Sequence, residues 1–246
     1  NDSANIIARH LTLETINGSL GTLDNFLDIS AKGVLNASAL YSIYLYETLG
    51  NMNIGLVISS TSDIFLKASG SILDSDNNDN ANIVGRNINL VSLTGSIGME
   101  DNFLDINSAI SAAGSVDAQA SESIYIYEAA GDISVDVIVS DNGDVHLIAT
   151  SLILDNDNTD KVNIIGRSIT LTSLTGSIGM EDNFLDINSA VSAAGAVDAQ
   201  AAESIYISEV EGNLSVGVIV SDNGDVHLIS SGSILDNDND DQANVI

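Results

Sequence analysis

Three clusters of aspartate and asparagine are the residues of this chain that are best suited to chemistry. They occupy equivalent places in the chain and read DSDNND from Asp74, DNDNTD from Asp155 and DNDNDD from Asp236. Oxygen donors at the first, third and fifth positions are how a loop wraps a hard cation such as calcium. However, the sixth residue is Asp where an EF-hand needs Gly, and the twelfth is Gly85 or Gly166 where an EF-hand has a bidentate Glu.

A solvated turn, in which Asp and Asn side chains bond to their own backbone, is the competing interpretation of the same clusters. Glu100 and Asp101, or Asp141 and Asp144, could add carboxylates to such an ion. Calcium is the only cofactor that the sequence suggests, and the first and third aspartates of each cluster are its predicted ligands. These residues are Asp74, Asp76, Asp155, Asp157, Asp236 and Asp238.

Catalysis is not expected. His146 and His227 occupy one repeat position, and Phe65 replaces them in the first repeat, so we interpret them as surface histidines. A lyase or hydrolase of polysaccharides needs a carboxylate pair in a groove, often with Arg or Lys. Here the carboxylates recur at equal phase in every repeat, whereas a unique active site should interrupt the repetition.

The aromatic residues also recur. In the segment Ser123–Glu128, inward isoleucines would turn Tyr125 and Tyr127 outward. Outward tyrosines are either an anchor for a glycan or another fibre, or an aromatic ladder that stiffens one face. The phenylalanines that precede Leu-Asp-Ile are predicted to fill corners or the core: Phe26, Phe103 and Phe184.

All of these residues belong to an array of repeats. The segment SLTGSIGMEDNFLDINSA at residues 92–109 returns unchanged 81 residues later, and a looser copy begins at Gly18. The predicted repeats run from about Arg9 to Gly85, from Arg86 to Gly166 and from Arg167 to Ile246. Because atypical capping units are not seen, we expect a segment of a longer array.

Large apolar residues alternate with small polar ones, as in Ser168–Thr172, which predicts strands with one buried face. Near-identical units favour a β-solenoid over a sandwich or a propeller. We expect about four coils of ~20 residues per repeat, or three coils of ~27, and about a dozen coils in all. Equivalent residues of successive repeats, such as Arg86 and Arg167, are then expected to lie above one another.

Composition limits the partners. The 35 acidic and 6 basic residues give a net charge of -29, which repels nucleic acid and anionic membrane surfaces and attracts cations. No stretch approaches the ~20 apolar residues of a membrane span. The chain has no Cys, so it has neither disulfides nor thiolate metal sites.

Four segments carry a family resemblance. Residues Arg167–Ile178, Asn183–Asn188, Ser204–Glu209 and Gly224–Ile229 resemble the shaft repeats of filamentous-haemagglutinin-like proteins. That resemblance implies a long right-handed parallel β-helix, exported to the bacterial cell surface, commonly by two-partner secretion. It also implies a role in adhesion, biofilm matrix or fibre formation, without enzymatic activity.

We therefore predict an all-β, right-handed parallel β-helix that forms one extracellular segment over residues 1–246. Its predicted function is a structural shaft or fibre unit of a surface adhesin or matrix protein. The alternatives are a self-assembling filament subunit and a β-helix that binds or cleaves carbohydrate. The expected partners are other copies of the chain or neighbouring repeats, and surface glycans, without nucleic acid or membrane insertion.

Overall fold

The computed structural model describes residues 3–110, 114–191, 195–237 and 245, and all regular structure in this part of the chain is β-strand. The described residues therefore include no helix long and apolar enough to cross a membrane. The first strands are β1 (Ile6–Ala8), β2 (Leu11–Thr15), β3 (Leu27–Ala31), β4 (Val34–Ala39), β5 (Ile43–Glu47), β6 (Met52–Ser59), β7 (Ile64–Ala68), β8 (Ile72–Asp74) and β9 (Ile83–Val84).

The second repeat contains β10 (Ile88–Ser92), β11 (Leu104–Asn107), β12 (Val116–Ala120), β13 (Ile124–Glu128), β14 (Ile133–Ser140), β15 (Val145–Ala149), β16 (Ile153–Asp155) and β17 (Ile164–Ile165). The third contains β18 (Ile169–Ser173), β19 (Leu185–Asn188), β20 (Val197–Ala201), β21 (Ile205–Glu209), β22 (Leu214–Ser221), β23 (Val226–Ser230) and β24 (Ile234–Asp236).

These strands form two parallel sheets that face each other. The first sheet runs β1-β3-β5-β7-β10-β12-β14-β17-β19-β21-β23, and the second runs β2-β4-β6-β9-β11-β13-β15-β18-β20-β22-β24. The short strands β16 and β8 pair with β14 in the first sheet and β6 in the second. Because the chain alternates between the sheets, it winds as a flattened coil whose strands stack on those of the next coil. The predicted all-β parallel β-helix is confirmed.

The core is built from rows of equivalent inward residues. Ile64, Ile88 and Val116 are register partners on three successive coils, and all three are fully buried. Within β13, Ile124 and Ile126 point inward while the residues between them are partly exposed. The period-two pattern of the sequence therefore places one apolar face of each strand in the space between the sheets.

The number of coils per repeat differs from the prediction. In the described residues each sheet path contains eleven strands, which is close to the dozen coils expected in all. The path from β5 to β21 covers two sequence repeats in seven steps, so one repeat is three and a half coils of about 23 residues. The expectation of four coils, or of three, was wrong.

The half coil has a simple cause. One repeat crosses between the sheets an odd number of times, because β8 and β9 lie in the same sheet and share one coil. Equivalent strands of successive repeats therefore lie in opposite sheets: β5 in the first, β13 in the second and β21 in the first again. The expectation that equivalent residues, such as Arg86 and Arg167, stack above one another is wrong for adjacent repeats, and it holds only for every second repeat.

Serines close the corners of the coils. The Ser140 hydroxyl donates to the Glu122 carbonyl of the preceding coil (2.8 Å) and accepts from the Gly143 N–H (2.9 Å). Ser221 makes the same pair of bonds one repeat later, to Glu203 and Gly224. A single hydroxyl thus satisfies two backbone groups where the strand ladder ends.

Candidate functional site

Two acidic loops leave the solenoid where β6 and β14 are irregular. Acidic loop one (residues 75–82) joins β8 to β9, and acidic loop two (residues 156–163) joins β16 to β17. For acidic loop one, β8 pairs with the first residues of β6 and β9 pairs with its last residues. The loop that joins β8 to β9 therefore projects from the sheet between these two pairings. The two acidic loops occupy opposite sheets because they are one repeat apart.

In acidic loop one, the preceding Asp74 carboxylate binds the loop itself. Its Oδ1 atom accepts from the Asp76 N–H (3.0 Å) and from Asn82 Nδ2 (2.8 Å), and its Oδ2 atom accepts from the Asn77 N–H (2.8 Å). Asn77 has a φ of 50°, a left-handed conformation that asparagine tolerates. An aspartate that accepts hydrogen bonds from the backbone of its own turn is what the solvated-turn interpretation predicts. Asp74 differs from that interpretation in being buried.

Acidic loop two repeats this arrangement with one difference. Asp155 Oδ1 accepts from the Asp157 N–H (3.0 Å) and Asn163 Nδ2 (2.8 Å), whereas its Oδ2 atom is buried without a hydrogen-bond partner. The Asp157 carboxylate accepts from the N–H and hydroxyl of Thr159. Of the last predicted pair, Asp236 is exposed and Asp238 lies outside the described residues.

The five predicted metal ligands that lie in the described part of the chain do not belong to a cluster of three or more acidic side chains that could hold a metal ion. Within residues 3–110, 114–191 and 195–237, no three acidic or histidine side chains converge closely enough to hold a metal ion. Asp144, a suggested further ligand, instead pairs with Arg167 through two bonds of 2.9 and 2.8 Å. The Arg167 guanidinium holds the pKa of Asp144 below its usual value. Calcium binding by the acidic loops stays a prediction.

The structure does bring Glu100 and Asp101 beside acidic loop one. They lie at the tip of a tight turn in which Met99 and Asn102 exchange backbone hydrogen bonds of 2.9 and 3.0 Å. Between this turn and the loop lies a cavity of about 350 Å³, here called the acidic cavity. It is lined by Asn77, Asn78, Asp79, Glu100, Asp101, Asn102, Phe103, Asp105, Tyr127, Ile148 and Leu174.

Asp105 is the carboxylate at the base of the acidic cavity. It is only 4% exposed, and its side chain has no hydrogen-bond partner among the described residues, although its backbone N–H donates to Asn82 Oδ1. Burial, together with the charges of Asp74, Asp79 and Asp76, raises the pKa of Asp105 to about 7. Sequence reasoning missed Asp105, because its place in β11 is an outward one and it is covered by residues from other coils.

Aromatic side chains form columns on the outer surface. Phe103 lies edge-on to Tyr125 (5.7 Å) and to His146 (4.8 Å), and Phe184, Tyr206 and His227 repeat this geometry. In the first repeat, Tyr44 stacks on Phe65 at 4.7 Å. The aromatic-ladder interpretation is confirmed for Tyr125, whereas Tyr127 lines the acidic cavity. Phe103 lies in the aromatic column and not in the core. Burial lowers the pKa of His146, as expected for a histidine in an aromatic column.

One buried glutamate per repeat holds a corner of the coil. Glu128 is fully buried, and it accepts from the Ser108 N–H (3.0 Å) and hydroxyl (2.6 Å) of the preceding coil. Burial raises its pKa to about 7. Glu209 accepts in the same way from Ser189. We interpret these glutamates as structural, because each is enclosed by the corner it holds.

No protein-family model matches the chain, and no curated protein or solved structure matches it. Its function is therefore inferred from the residues and contacts described above.

Proposed function

We propose that the chain is a structural shaft, a stiff spacer or fibre segment of a bacterial extracellular adhesin or matrix protein. The observation that carries the proposal is the pair of unbroken parallel ladders, each eleven strands long, wound around a single core. In such an array each coil contacts only the coils directly before and after it, so the length of the rod increases with the number of repeats.

The surface supports a passive role. The outward aromatic residues pack against one another in columns, and the two ion pairs of the described residues, Arg86–Asp63 and Arg167–Asp144, join neighbouring coils. The net charge of -29 disfavours lateral association of identical rods at low ionic strength and keeps a long apolar array in solution.

Deletion of one repeat tests the spacer function. Removing residues 86–166 joins Gly85 to Arg167 and removes three and a half coils, which shortens the rod by about 17 Å at ~4.8 Å per coil. The shortened chain should fold, because the equivalent strands β10 and β18, which begin the second and third repeats, already form in opposite sheets. Small-angle X-ray scattering should show the shorter length with an unchanged cross-section, whereas a collapsed or unfolded variant would contradict a modular shaft.

Two other functions remain as alternatives to the shaft, and each has its own measurement. Electron micrographs taken over a range of protein concentrations should show separate rods of one length, whereas lengthening fibres would favour a self-assembling filament. A glycan array without hits, together with no release of reducing ends from polysaccharides, is expected for a shaft. Positive results would favour the carbohydrate-binding or carbohydrate-cleaving alternative.

A further inference from the structure

We propose that the acidic cavity binds a primary ammonium group carried on an apolar stem, as in a lysine side chain or an aliphatic polyamine. This proposal does not depend on the shaft function. It rests on the unpartnered Asp105 carboxylate, on the apolar wall of the cavity, and on a lysine that occupies the equivalent place in the first repeat.

The first argument is the unsatisfied charge. Buried carboxylates are normally paired or hydrogen-bonded, because an uncompensated buried charge is costly. Asp105 is 96% buried, opens into the cavity and lacks a side-chain hydrogen bond in the described part of the chain, while Asp79 and Glu100 line the same cavity. An ammonium group supplies three N–H donors and a positive charge, and it would satisfy this cluster.

The second argument is shape. At about 350 Å³ the acidic cavity is much larger than a bare metal ion, and one wall consists of Tyr127, Ile148 and Leu174. Asp105, Tyr127 and Ile148 are register partners on three successive coils, so the carboxylate lies at one end of an apolar column. A methylene stem packs on such a wall while its ammonium group reaches the carboxylate, and a tyrosine ring adds a cation–π contact.

The third argument comes from the first repeat, where the equivalent column is Asp28, Tyr46 and Lys67. There Lys67 replaces Ile148, and its Nζ atom lies 4.8 Å from the centre of the Tyr46 ring. The fold thus places an ammonium group of its own over the tyrosine in one repeat. In the next repeat it leaves the tyrosine without that lysine, beside an open cavity.

The third repeat provides a matched control. Its equivalent column is Asp186, Ser208 and Ile229, so that a serine replaces the tyrosine. Burial raises the pKa of Asp186, and a hydrogen bond from the Ser208 side chain opposes this increase. Ser208 is the register partner of Asp186 on the next coil, so a hydroxyl group takes the place of the tyrosine ring and the column lacks the aromatic wall.

Isothermal titration calorimetry of the whole chain in 150 mM NaCl tests the proposal. We would titrate spermidine, Nα-acetyl-lysine methylamide and, separately, calcium chloride. We expect one site for an alkylammonium probe, at least tenfold weaker binding in Asp105→Asn, and less than a twofold change in Asp186→Asn. Binding by either probe supports the ammonium site, and their relative affinities distinguish a polyamine from a lysine side chain.

A second variant keeps the proposal falsifiable if Asp105→Asn does not fold. Ile148→Lys gives the second repeat the lysine of the first repeat, so it should fill the acidic cavity and abolish binding of the probe. The proposal would be overturned if neither amine binds the wild-type chain, or if Ile148→Lys binds as tightly as wild type. It would also be overturned if Asp105→Asn and Asp186→Asn weaken binding equally, or if calcium binds at Asp105 and amines do not compete with it.

Discussion

The column Asp28–Tyr46–Lys67 of the first repeat and the column Asp105–Tyr127–Ile148 of the second differ at only one of their three positions. The inward neighbours of the two columns are alike. Leu45 precedes Tyr46 in the first column and Ile126 precedes Tyr127 in the second, and both are fully buried. Outside, one column carries its own ammonium group over the tyrosine, and the other borders a cavity beside a buried carboxylate without a donor.

The comparison shows that the environment of an outward side chain in a solenoid is set by residues on the neighbouring coils. Asp105 lies in a segment that recurs unchanged around Asp186, yet the register partner of Asp105 on the next coil is Tyr127, whereas that of Asp186 is Ser208. The environment of a side chain thus depends on residues about one coil away. Because each repeat spans three and a half coils, the equivalent columns of adjacent repeats lie in opposite sheets and do not share neighbours.

The largest expected effect tests whether the core residues beside the two columns, Leu45 and Ile126, contribute equally to stability. Leu45→Ala and Ile126→Ala should each lower the free energy of unfolding by about 2–5 kcal/mol, since both remove buried methyl groups from a packed row. Urea unfolding followed by circular dichroism measures the change. Leu49→Ala, at a side chain that is 75% exposed, is the control and should cost less than about 0.5 kcal/mol. A strongly unequal response of the two core variants would show that the columns differ inside as well.

The next effect is the pH dependence of stability. Burial raises the pKa of Asp105 and of Glu128 to about 7 and that of Asp117 to about 6, so the folded chain binds more protons than the unfolded chain between about pH 4.5 and 7. Stability should therefore rise as the pH falls from 8 to 5, by about 1–3 kcal/mol.

Urea unfolding at pH 5, 6, 7 and 8 measures this dependence. Asp105→Asn should reduce the slope, because it removes one of the groups that take up a proton in this range. The buried-carboxylate account would be contradicted by a free energy of unfolding that is constant or that increases with pH across the range.

A smaller effect is expected from exchanging the tyrosine and the serine between columns. Tyr127→Ser should place a hydroxyl near Asp105 and lower its pKa by about half a unit to one unit, because a donor favours the charged carboxylate. Ser208→Tyr should raise the pKa of Asp186 for the opposite reason. Titration of the carboxyl ¹³C signals by NMR measures both. If neither pKa moves, the exchange of tyrosine for serine on the next coil is not what distinguishes the two aspartates.

Sequence periodicity was sufficient to predict which residues of a strand face inward, but not how many coils one repeat forms. Alternation correctly placed Ile124 and Ile126 inside and Tyr125 and Tyr127 outside, because the period of a strand is two. The repeat length could not reveal the half coil, since the residues of acidic loop one add length without advancing the chain to the other sheet.

The polar residues were harder to predict. Glu128 has the same phase as Ile126, so alternation does place it inward, and that signal was overlooked. Asp105 has an outward phase, and only the stacked coils and loops bury it. Gly143 is required by close packing and not by a positive φ, because an added Cβ would lie 2.5 Å from the Ser123 nitrogen of the preceding coil. Stacking contacts of this kind are not encoded in any single segment.

The smallest expected effect concerns calcium and contrasts the two acidic loops. Asp74 uses both carboxylate oxygens within its loop, whereas Asp155 has one buried oxygen without a partner, so a bound cation would gain more at acidic loop two. If the loops bind calcium, millimolar calcium should raise the melting midpoint by a few degrees, and excess chelator should reverse the increase. Asp155→Asn should remove more of it than Asp74→Asn. An identical midpoint with calcium and with chelator would contradict the calcium hypothesis, because an ion that binds only the folded chain must stabilise it.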